Sequence, residues 1–219
     1  MCFSANISLF TFIVGIIGAI LCVSLGEIID IVFGLFLGFV SLMQLIEYLL
    51  WKHQKYDYYN KILSIIGMIL NHLQPIVLGI ILLLVSNPTN YQKYIIISII
   101  FIYLLCAIPY SIMFLKNTNN QYTIKNKKTK HLTWKWNEEK YAISFYIVFL
   151  LSIVLLFIYG MPTIQQGIFL AFITIFLYLS TLLFYYSKHL GSMWCFYSSL
   201  VPIVYYIIRY YYLTFFNQS

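Results

Sequence analysis

Four polar or helix-perturbing residues interrupt one of the most apolar runs of the chain: Asn71, His72, Gln74 and Pro75. A histidine can relay protons near neutral pH, and amide side chains can hydrogen-bond a ligand or coordinate an ion. A proline within a helix removes one backbone donor and frees the carbonyl four residues earlier. In a lipid environment such groups need water, an ion or a partner side chain, so we predict a polar interior here.

A buried acid is predicted in the preceding apolar run, where Glu47 lies about one helical turn before the run ends. Ser41, Gln44 and Glu47 share one face of a helix by their spacing. Ionisable groups within a membrane are costly and often belong to ion pathways or proton relays. Two other interpretations stay open: Glu47 is a neutral or paired core carboxyl, and His72 is a histidine satisfied within the core.

A third polar stripe follows helical spacing in the last apolar run: Ser192, Cys195, Ser199, Pro202, Tyr206 and Arg209. Small and polar residues also hold membrane helices together without any ligand, which is the simpler interpretation for Ser199 and Gln44. Our prediction for the pathway of a ligand, ion or proton comprises Glu47, Asn71, His72, Gln74 and Ser199.

Thiol groups are expected at the end of the bundle where Glu47 lies. Removal of the first methionine would leave Cys2 with a free amine, able to act as a nucleophile or a metal ligand. We predict that the mouth of the pathway is formed by Cys2, Ser4, Ser192, Trp194 and Cys195. Cys2, Glu47 and Cys195, with His53 or His189, could bind zinc, although their spacing matches no zinc motif.

The elements that position these residues are transmembrane helices. Of the 219 residues, 62% are hydrophobic and 9% are charged, whereas soluble domains carry about 25% charged residues. So few charges cannot cover a water-facing surface, which indicates lipid as the main solvent. Runs long enough to cross a bilayer occur at 7–26, 27–51, 59–86, 91–116, 141–160, 161–188 and 191–215. We therefore predict a single all-α domain over 1–219, a polytopic membrane bundle of seven transmembrane helices.

The one long polar segment, 117–140, connects the fourth and fifth predicted spans. Hydrophobic residues alternate with polar ones on both sides of a lysine-rich turn, which predicts a short β-hairpin. We expect an interfacial loop, with Trp134 and Trp136 in the headgroup zone and its lysines near anionic lipid.

Lysine placement predicts the orientation of the bundle. With seven spans, one face receives nearly all the lysines, and we call it the lysine-rich face: Lys52, Lys55, Lys61, Lys116, Lys125, Lys127, Lys128, Lys130, Lys135, Lys140 and Lys188. The opposite face receives Lys93 and, near its edge, Arg209. We expect a cytoplasmic lysine-rich face, a cytoplasmic N-terminus and an external C-terminus. This bias accounts for the net charge of +7, so nucleic acid is not an expected partner.

Five motifs resemble those of an uncharacterised family of seven-span membrane proteins: MCFSA at the start, QLIEYLLW, NHLQP, HLTWKW and GSMWCF. Members of that family begin with MCFSA or MCWSA and occur in giant DNA viruses and some bacteria. The resemblance implies a viral or bacterial membrane protein but no activity. It singles out Cys2, Ser4, Glu47, Gln74, Pro75, Ser192, Trp194 and Cys195.

Two other seven-span classes fit the chain less well. A retinal protein needs a lysine in its last span, and residues 191–219 contain none, so we expect no retinal Schiff base. The adiponectin-receptor and alkaline-ceramidase hydrolases need a pair of histidines in that span, and it contains no histidine.

These observations leave three functional hypotheses. The first is a membrane protein that binds or conducts a small ligand, ion or proton through a polar cavity open to the cytoplasm. The second is an intramembrane lipid hydrolase or transferase that depends on a metal or a thiol. The third is a structural or assembly protein whose function resides in the 117–140 segment.

Overall fold

The computed structural model describes residues 4–117, 121–126, 131–184 and 190–216, of which 184, 190–192, 215 and 216 are described by their backbone alone. These ranges form seven α-helices: α1 (Ala5–Ser24), α2 (Ile28–Lys52), α3 (Tyr58–Val85), α4 (Asn90–Lys116), α5 (Ala142–Gly160), α6 (Ile164–Phe184) and α7 (Leu190–Phe216). The predicted all-α membrane bundle is thereby confirmed.

Six of these helices, α1 to α6, are long and apolar enough to cross a membrane. The seventh predicted run also forms a helix of 27 residues, but it is not among these six. Its tyrosines and serines, together with Arg209, make α7 less apolar than the others. The prediction of seven spans therefore holds for the number of helices, while the hydropathy supports six spans.

Side-chain caps begin three of the described helices, and a glycine turn joins the first two. The Ser4 hydroxyl and the Asp57 carboxylate accept hydrogen bonds from the first turns of α1 and α3. Thr89 and Gln92 form a reciprocal capping box at the start of α4. Gly26 adopts a φ of 85° between α1 and α2, a conformation that glycine reaches without strain.

Helix α2 is central, packing against α1, α3 and α7, whereas α5 packs against α3, α4 and α6. Glycines on α1 allow α7 to approach closely. A Cβ atom at Gly18 would lie 2.6 Å from the backbone nitrogen of Ile203, and one at Gly15 would lie 2.9 Å from the carbonyl oxygen of Ser199. Close approach through small residues is a common way for membrane helices to associate.

The predicted hairpin is present as two short antiparallel strands, β1 (Ile124–Lys125) and β2 (Leu132–Thr133), followed by a 3-10 turn at Lys135–Glu138. The headgroup-zone position of its tryptophans stays a prediction, but both indoles face the interior of the bundle. Trp134 and Trp136 are 0% and 1% exposed, and both belong to the core of the bundle. Large aromatic side chains bury more apolar area than any others, which favours this inward position.

Specific contacts with α3 hold the segment in the bundle. The Asn60 side chain binds both backbone groups of Thr123, donating to its carbonyl at 3.0 Å and accepting from its N–H at 2.9 Å. Gly67 makes room for the inserted indole, because a Cβ there would lie 2.6 Å from the Trp134 ring. The segment is therefore part of the folded core.

Candidate functional site

The Glu47 carboxyl is fully buried on α2, and two neutral N–H groups donate to it. Gln44, one turn earlier, donates from Nε2 to Oε2 at 3.1 Å. Trp134 donates from Nε1 to Oε1 at 3.3 Å. Hydrogen bonds of this kind replace water around a buried carboxyl and stabilise its charged form. The loop thus supplies a donor that the helical pattern around Glu47 does not reveal.

The amide of Gln74 connects α3 to α7 by two hydrogen bonds. Its Oε1 accepts from the Trp194 indole nitrogen at 3.2 Å, and its Nε2 donates to the Cys195 sulfur at 3.8 Å. Cys195 is also within electrostatic range of Glu47. Hydrogen bonds therefore join Gln74 of α3 to Trp194 and Cys195 of α7, close to Glu47 of α2.

The Tyr146 hydroxyl continues this cluster towards α5 and the loop. It accepts a hydrogen bond from Nδ2 of Asn71 at 3.5 Å and donates to Oδ1 of Asn137. The Asn137 N–H donates to the Trp134 carbonyl at 3.1 Å, which joins this group to the one around Glu47. We call this set the inner network, and it comprises Gln44, Glu47, Asn71, Gln74, Trp134, Asn137, Tyr146, Trp194 and Cys195.

A cavity of about 430 Å³ adjoins the inner network between α5, α6 and the 3-10 turn. Asn137, Tyr146 and Tyr178 form its polar inner wall, whereas Glu138 and Lys140 are exposed at its rim. Both charged residues belong to the 117–140 segment at the lysine-rich face. Tyr146 and Asn137 therefore belong both to the wall of an open cavity and to the buried network behind it.

Several buried polar atoms of the inner network lack a hydrogen-bond partner within the part of the chain described here: Gln44 Oε1, Asn71 Oδ1 and Asn137 Nδ2. Buried polar groups in proteins are almost always paired, often by ordered water or a ligand. Two of the three atoms are oxygens, so the network can accept hydrogen bonds or coordinate a cation at these positions.

His72 lies outside the inner network. Its Nδ1 is 2.8 Å from the Ser111 hydroxyl of α4, and its ring packs against Phe145 and Tyr110 with centroids 4.5 and 5.6 Å apart. The backbone carbonyl of His72 accepts from the Tyr103 hydroxyl at 2.7 Å. These contacts place the imidazole between α4 and α5, whereas the neighbouring Asn71 side chain contacts Tyr146 of the inner network.

Ser199 also lies apart from the inner network. Its hydroxyl donates to the Cys195 carbonyl of its own helix at 2.7 Å. The backbone of Ser199 faces Gly15 of α1, which in turn faces Ser41 of α2. These contacts are typical of residues that hold helices together. Of the five residues predicted to line a pathway, Glu47, Asn71 and Gln74 share one network, whereas Ser199 and His72 do not.

The predicted mouth is described in part. Trp194 and Cys195 belong to the inner network, and Ser4 caps α1 by accepting from the Ile7 N–H at 3.4 Å. Cys2, His189 and the side chain of Ser192 lie outside the described residues. Among the residues that are described, no group of three or more His, Cys, Asp or Glu side chains is arranged to hold a metal ion. The zinc site therefore stays a prediction.

Sequence reasoning did not assign a role in the site to Trp134, Asn137, Tyr146 or Tyr178. The HLTWKW motif was a signal for Trp134, since it appeared among the residues that carry the family resemblance. Tyr146 gave no signal, because it is one of 21 tyrosines in the chain.

Comparison with known proteins provides no relative: no family model matches the chain, no curated protein matches it, and no solved structure matches it. The resemblance to the MCFSA/MCWSA family thus stays a prediction. Any functional assignment depends on the geometry of the inner network and its cavity.

Proposed function

We propose that this integral membrane protein binds a small cation, of which the proton is the simplest, in the inner network and the adjoining cavity at its lysine-rich face. One observation carries the proposal: Tyr146 is both a wall of the cavity and a member of the network. A cation that enters the cavity would therefore meet the oxygen atoms of the network without crossing the bilayer.

The chemistry of the network favours a positively charged guest. A carboxylate, amide oxygens and a phenol oxygen are ligands that hard cations prefer. At the rim, Glu138 pairs with Lys135 at 2.7 Å, and Glu139 accepts from the Asn117 amide at 3.3 Å. The rim thus places two carboxylates beside Lys135 and Lys140, so it has no surplus positive charge that would repel a cation.

Binding at one face is better supported than conduction across the membrane. His72, which would extend a pathway, contacts α4 and α5, and Ser199 contacts α1. Both side chains lie outside the inner network. Conduction would need a second opening towards the opposite face. Transport therefore claims more than binding does, and it requires its own measurement.

Tryptophan fluorescence tests the binding version, because the Trp134 indole donates directly to Glu47. Titration of pH and of sodium or potassium in detergent should shift the emission of the wild-type protein. Glu47→Gln should abolish the shift, whereas His72→Gln, an equally interior substitution outside the network, should leave it unchanged. The same response in both variants, or none in the wild type, would contradict the proposal.

Flux measurements in proteoliposomes test the transport version. Proton and cation entry would be followed with dyes inside vesicles that contain the wild-type protein, the Glu47→Gln variant or no protein. Transport predicts a wild-type flux above that of empty vesicles, which falls at least tenfold in the variant, a loss of about 1.4 kcal/mol in barrier stabilisation. Equal leak from protein-containing and empty vesicles would rule out the transport version. The binding version would then be decided by the fluorescence titration alone.

A thiol- or metal-dependent enzyme is a second candidate, supported by the proximity of Cys195 to Glu47. Such an enzyme would use the thiol as a nucleophile or zinc ligand, with Cys2 as a further ligand. Metal analysis of the purified protein distinguishes the candidates. Stoichiometric zinc in the wild type that is lost in Cys195→Ser would favour the enzyme, while no bound zinc in either would exclude its metal-dependent form.

A structural or assembly role for the 117–140 segment cannot be tested by deleting it, because its tryptophans fill the core. Substitutions at exposed positions of the segment are a better test. Lys125→Glu or Glu138→Lys would disrupt contacts with a partner protein while preserving the buried indoles.

The lysine-rich face is proposed to be cytoplasmic and to contact anionic lipid, with the N-terminus at the same side and the C-terminus outside. The single substitutions Lys55→Cys and Lys93→Cys should place a thiol on opposite sides of the membrane. A membrane-impermeant maleimide applied to intact cells should therefore label Lys93→Cys but not Lys55→Cys, and the reverse pattern would overturn the orientation.

A further inference from the structure

A long apolar groove lies between α6 and α7, on the side of the bundle away from the inner network. Its volume is about 730 Å³, within the range of cavities that hold small molecules. Phe169, Phe172 and Phe176 of α6 face Val204 and Ile208 of α7 across it. All five side chains are exposed, from 48% to 66%, so a guest could make apolar contacts along the whole groove.

The groove has the length of one membrane leaflet. It extends over residues 165–177 of α6 and 201–212 of α7, which at 1.5 Å per residue corresponds to about 17 Å. Half of the hydrocarbon core of a bilayer is about 15 Å thick. The groove therefore fits a single extended acyl chain of the leaflet opposite the lysine-rich face.

Polar side chains lie at one end of the groove only, where α6 begins and α7 ends. Arg209 lines the groove and donates from Nε to Asp30 Oδ1 at 3.3 Å and from Nη2 to Glu27. The Tyr205 hydroxyl also donates to Asp30, at 2.5 Å. Arg209 has five N–H donors, and these two bonds leave others for a further acceptor.

The charges at this end do not favour an anionic guest. One guanidinium faces two carboxyl groups, so the cluster has no surplus positive charge at neutral pH. This end also offers acceptors for a donor on the guest. Oδ2 of Asp30 and Oε1 of Gln166 are buried acceptors without a partner in the described part of the chain. A lipid headgroup that complements this end therefore carries a phosphate, to accept from Arg209, and an N–H donor for the unpaired acceptors.

From these observations we infer that the α6–α7 groove binds one phospholipid with a primary-ammonium zwitterionic headgroup, such as phosphatidylethanolamine. An acyl chain lies along the phenylalanines, the phosphate accepts from Arg209, and the ammonium donates to Glu27 and Gln166. Phosphatidylcholine lacks the N–H donors, and phosphatidylglycerol lacks the positive charge. This inference does not depend on cation binding at the other face.

Lipid retention tests the inference directly. The protein would be reconstituted into vesicles of equal parts phosphatidylethanolamine, phosphatidylcholine and phosphatidylglycerol, re-extracted in mild detergent and examined by native mass spectrometry. We expect one retained phosphatidylethanolamine, enriched about tenfold over either competitor, which corresponds to about 1.4 kcal/mol.

Two substitutions on α7 provide a matched pair, because Val204 lines the groove and Ile207 does not, although both are exposed. Val204→Trp should fill the groove and abolish retention, whereas Ile207→Trp should preserve it. Gln166→Leu should retain a lipid but lose the preference for phosphatidylethanolamine over phosphatidylcholine. Lipid bound in vesicle proportions, retention unaffected by Val204→Trp, or a protein dimer that this variant disrupts would each overturn the inference.

Discussion

The hydrogen bond between the loop and the buried carboxyl can be measured with a double-mutant cycle on Glu47 and Trp134. Trp134→Phe removes the indole N–H that lies 3.3 Å from Oε1, and Glu47→Gln removes the charge while preserving the shape of the side chain. Each single change also alters packing. The cycle cancels those packing effects and leaves the coupling between the two side chains.

The expected coupling follows from the nature of the acceptor. A hydrogen bond to a charged group contributes about 1.5–3 kcal/mol to stability, and one between neutral groups about 0.5–1.5 kcal/mol. If the carboxyl is ionised, Trp134→Phe should therefore cost about 1 kcal/mol more in the wild-type background than in Glu47→Gln. The difference would appear in the free energy of unfolding.

Unfolding by sodium dodecyl sulfate in mixed micelles, followed by proteolysis of the unfolded fraction, provides the measurement. A control cycle pairs Glu47→Gln with Phe36→Leu, a buried substitution about 16 Å away on the same helix. That cycle should be additive within about 0.5 kcal/mol. If the Glu47–Trp134 cycle gives no more coupling than the control, the loop does not stabilise an ionised carboxyl and this reasoning is refuted.

Two further predictions concern the docking of the loop and the start of α3. Gly67→Ala should cost about 1–3 kcal/mol of unfolding free energy, because the added methyl group forces Trp134 to move. Gly38→Ala is the control and should cost less, because a Cβ there would meet one atom, at 3.1 Å. Equal losses of unfolding free energy in the same assay would contradict the packing of Trp134 on Gly67. The hydrogen bond from the Asn60 N–H lowers the pKa of Asp57 below its ordinary value of about 3.9. Its stabilising contribution is therefore complete above that pH and is lost as the pH falls further; Asp57→Asn should flatten the pH dependence of unfolding below pH about 4.

The helices were predictable because hydropathy and capping are local properties of the sequence. Ser4 begins α1, and the apolar runs become helices within a few residues of their predicted ends. The cost of placing polar groups in lipid was the signal for Glu47 and Gln74, because such groups need polar partners there. The structure gives them partners on α2 and α7 respectively, Gln44 for Glu47 and Trp194 for Gln74.

The directions of His72 and the loop tryptophans were not predictable from local pattern. Successive residues of a helix point about 100° apart, so Asn71 reaches Tyr146 of α5 while His72 reaches Ser111 of α4 and Phe145 of α5. Which neighbour each faces depends on packing between distant segments. The inward position of Trp134 depends in the same way on Gly67 and Asn60, more than sixty residues earlier in the chain.

A cation can reach the inner network from the lysine-rich face only if the cavity there communicates with the network. Reaction of Cys195 with methylmercury, followed by mass spectrometry in a background where the other cysteines are serine, tests it most directly. Two exposed α5 residues one turn apart provide the matched pair, since Ile147 lines the cavity and Leu151 does not. Cys195 should react, and Ile147→Trp should slow the reaction at least tenfold, about 1.4 kcal/mol, while Leu151→Trp should not. An inert Cys195, or equal rates in the two variants, would contradict this communication.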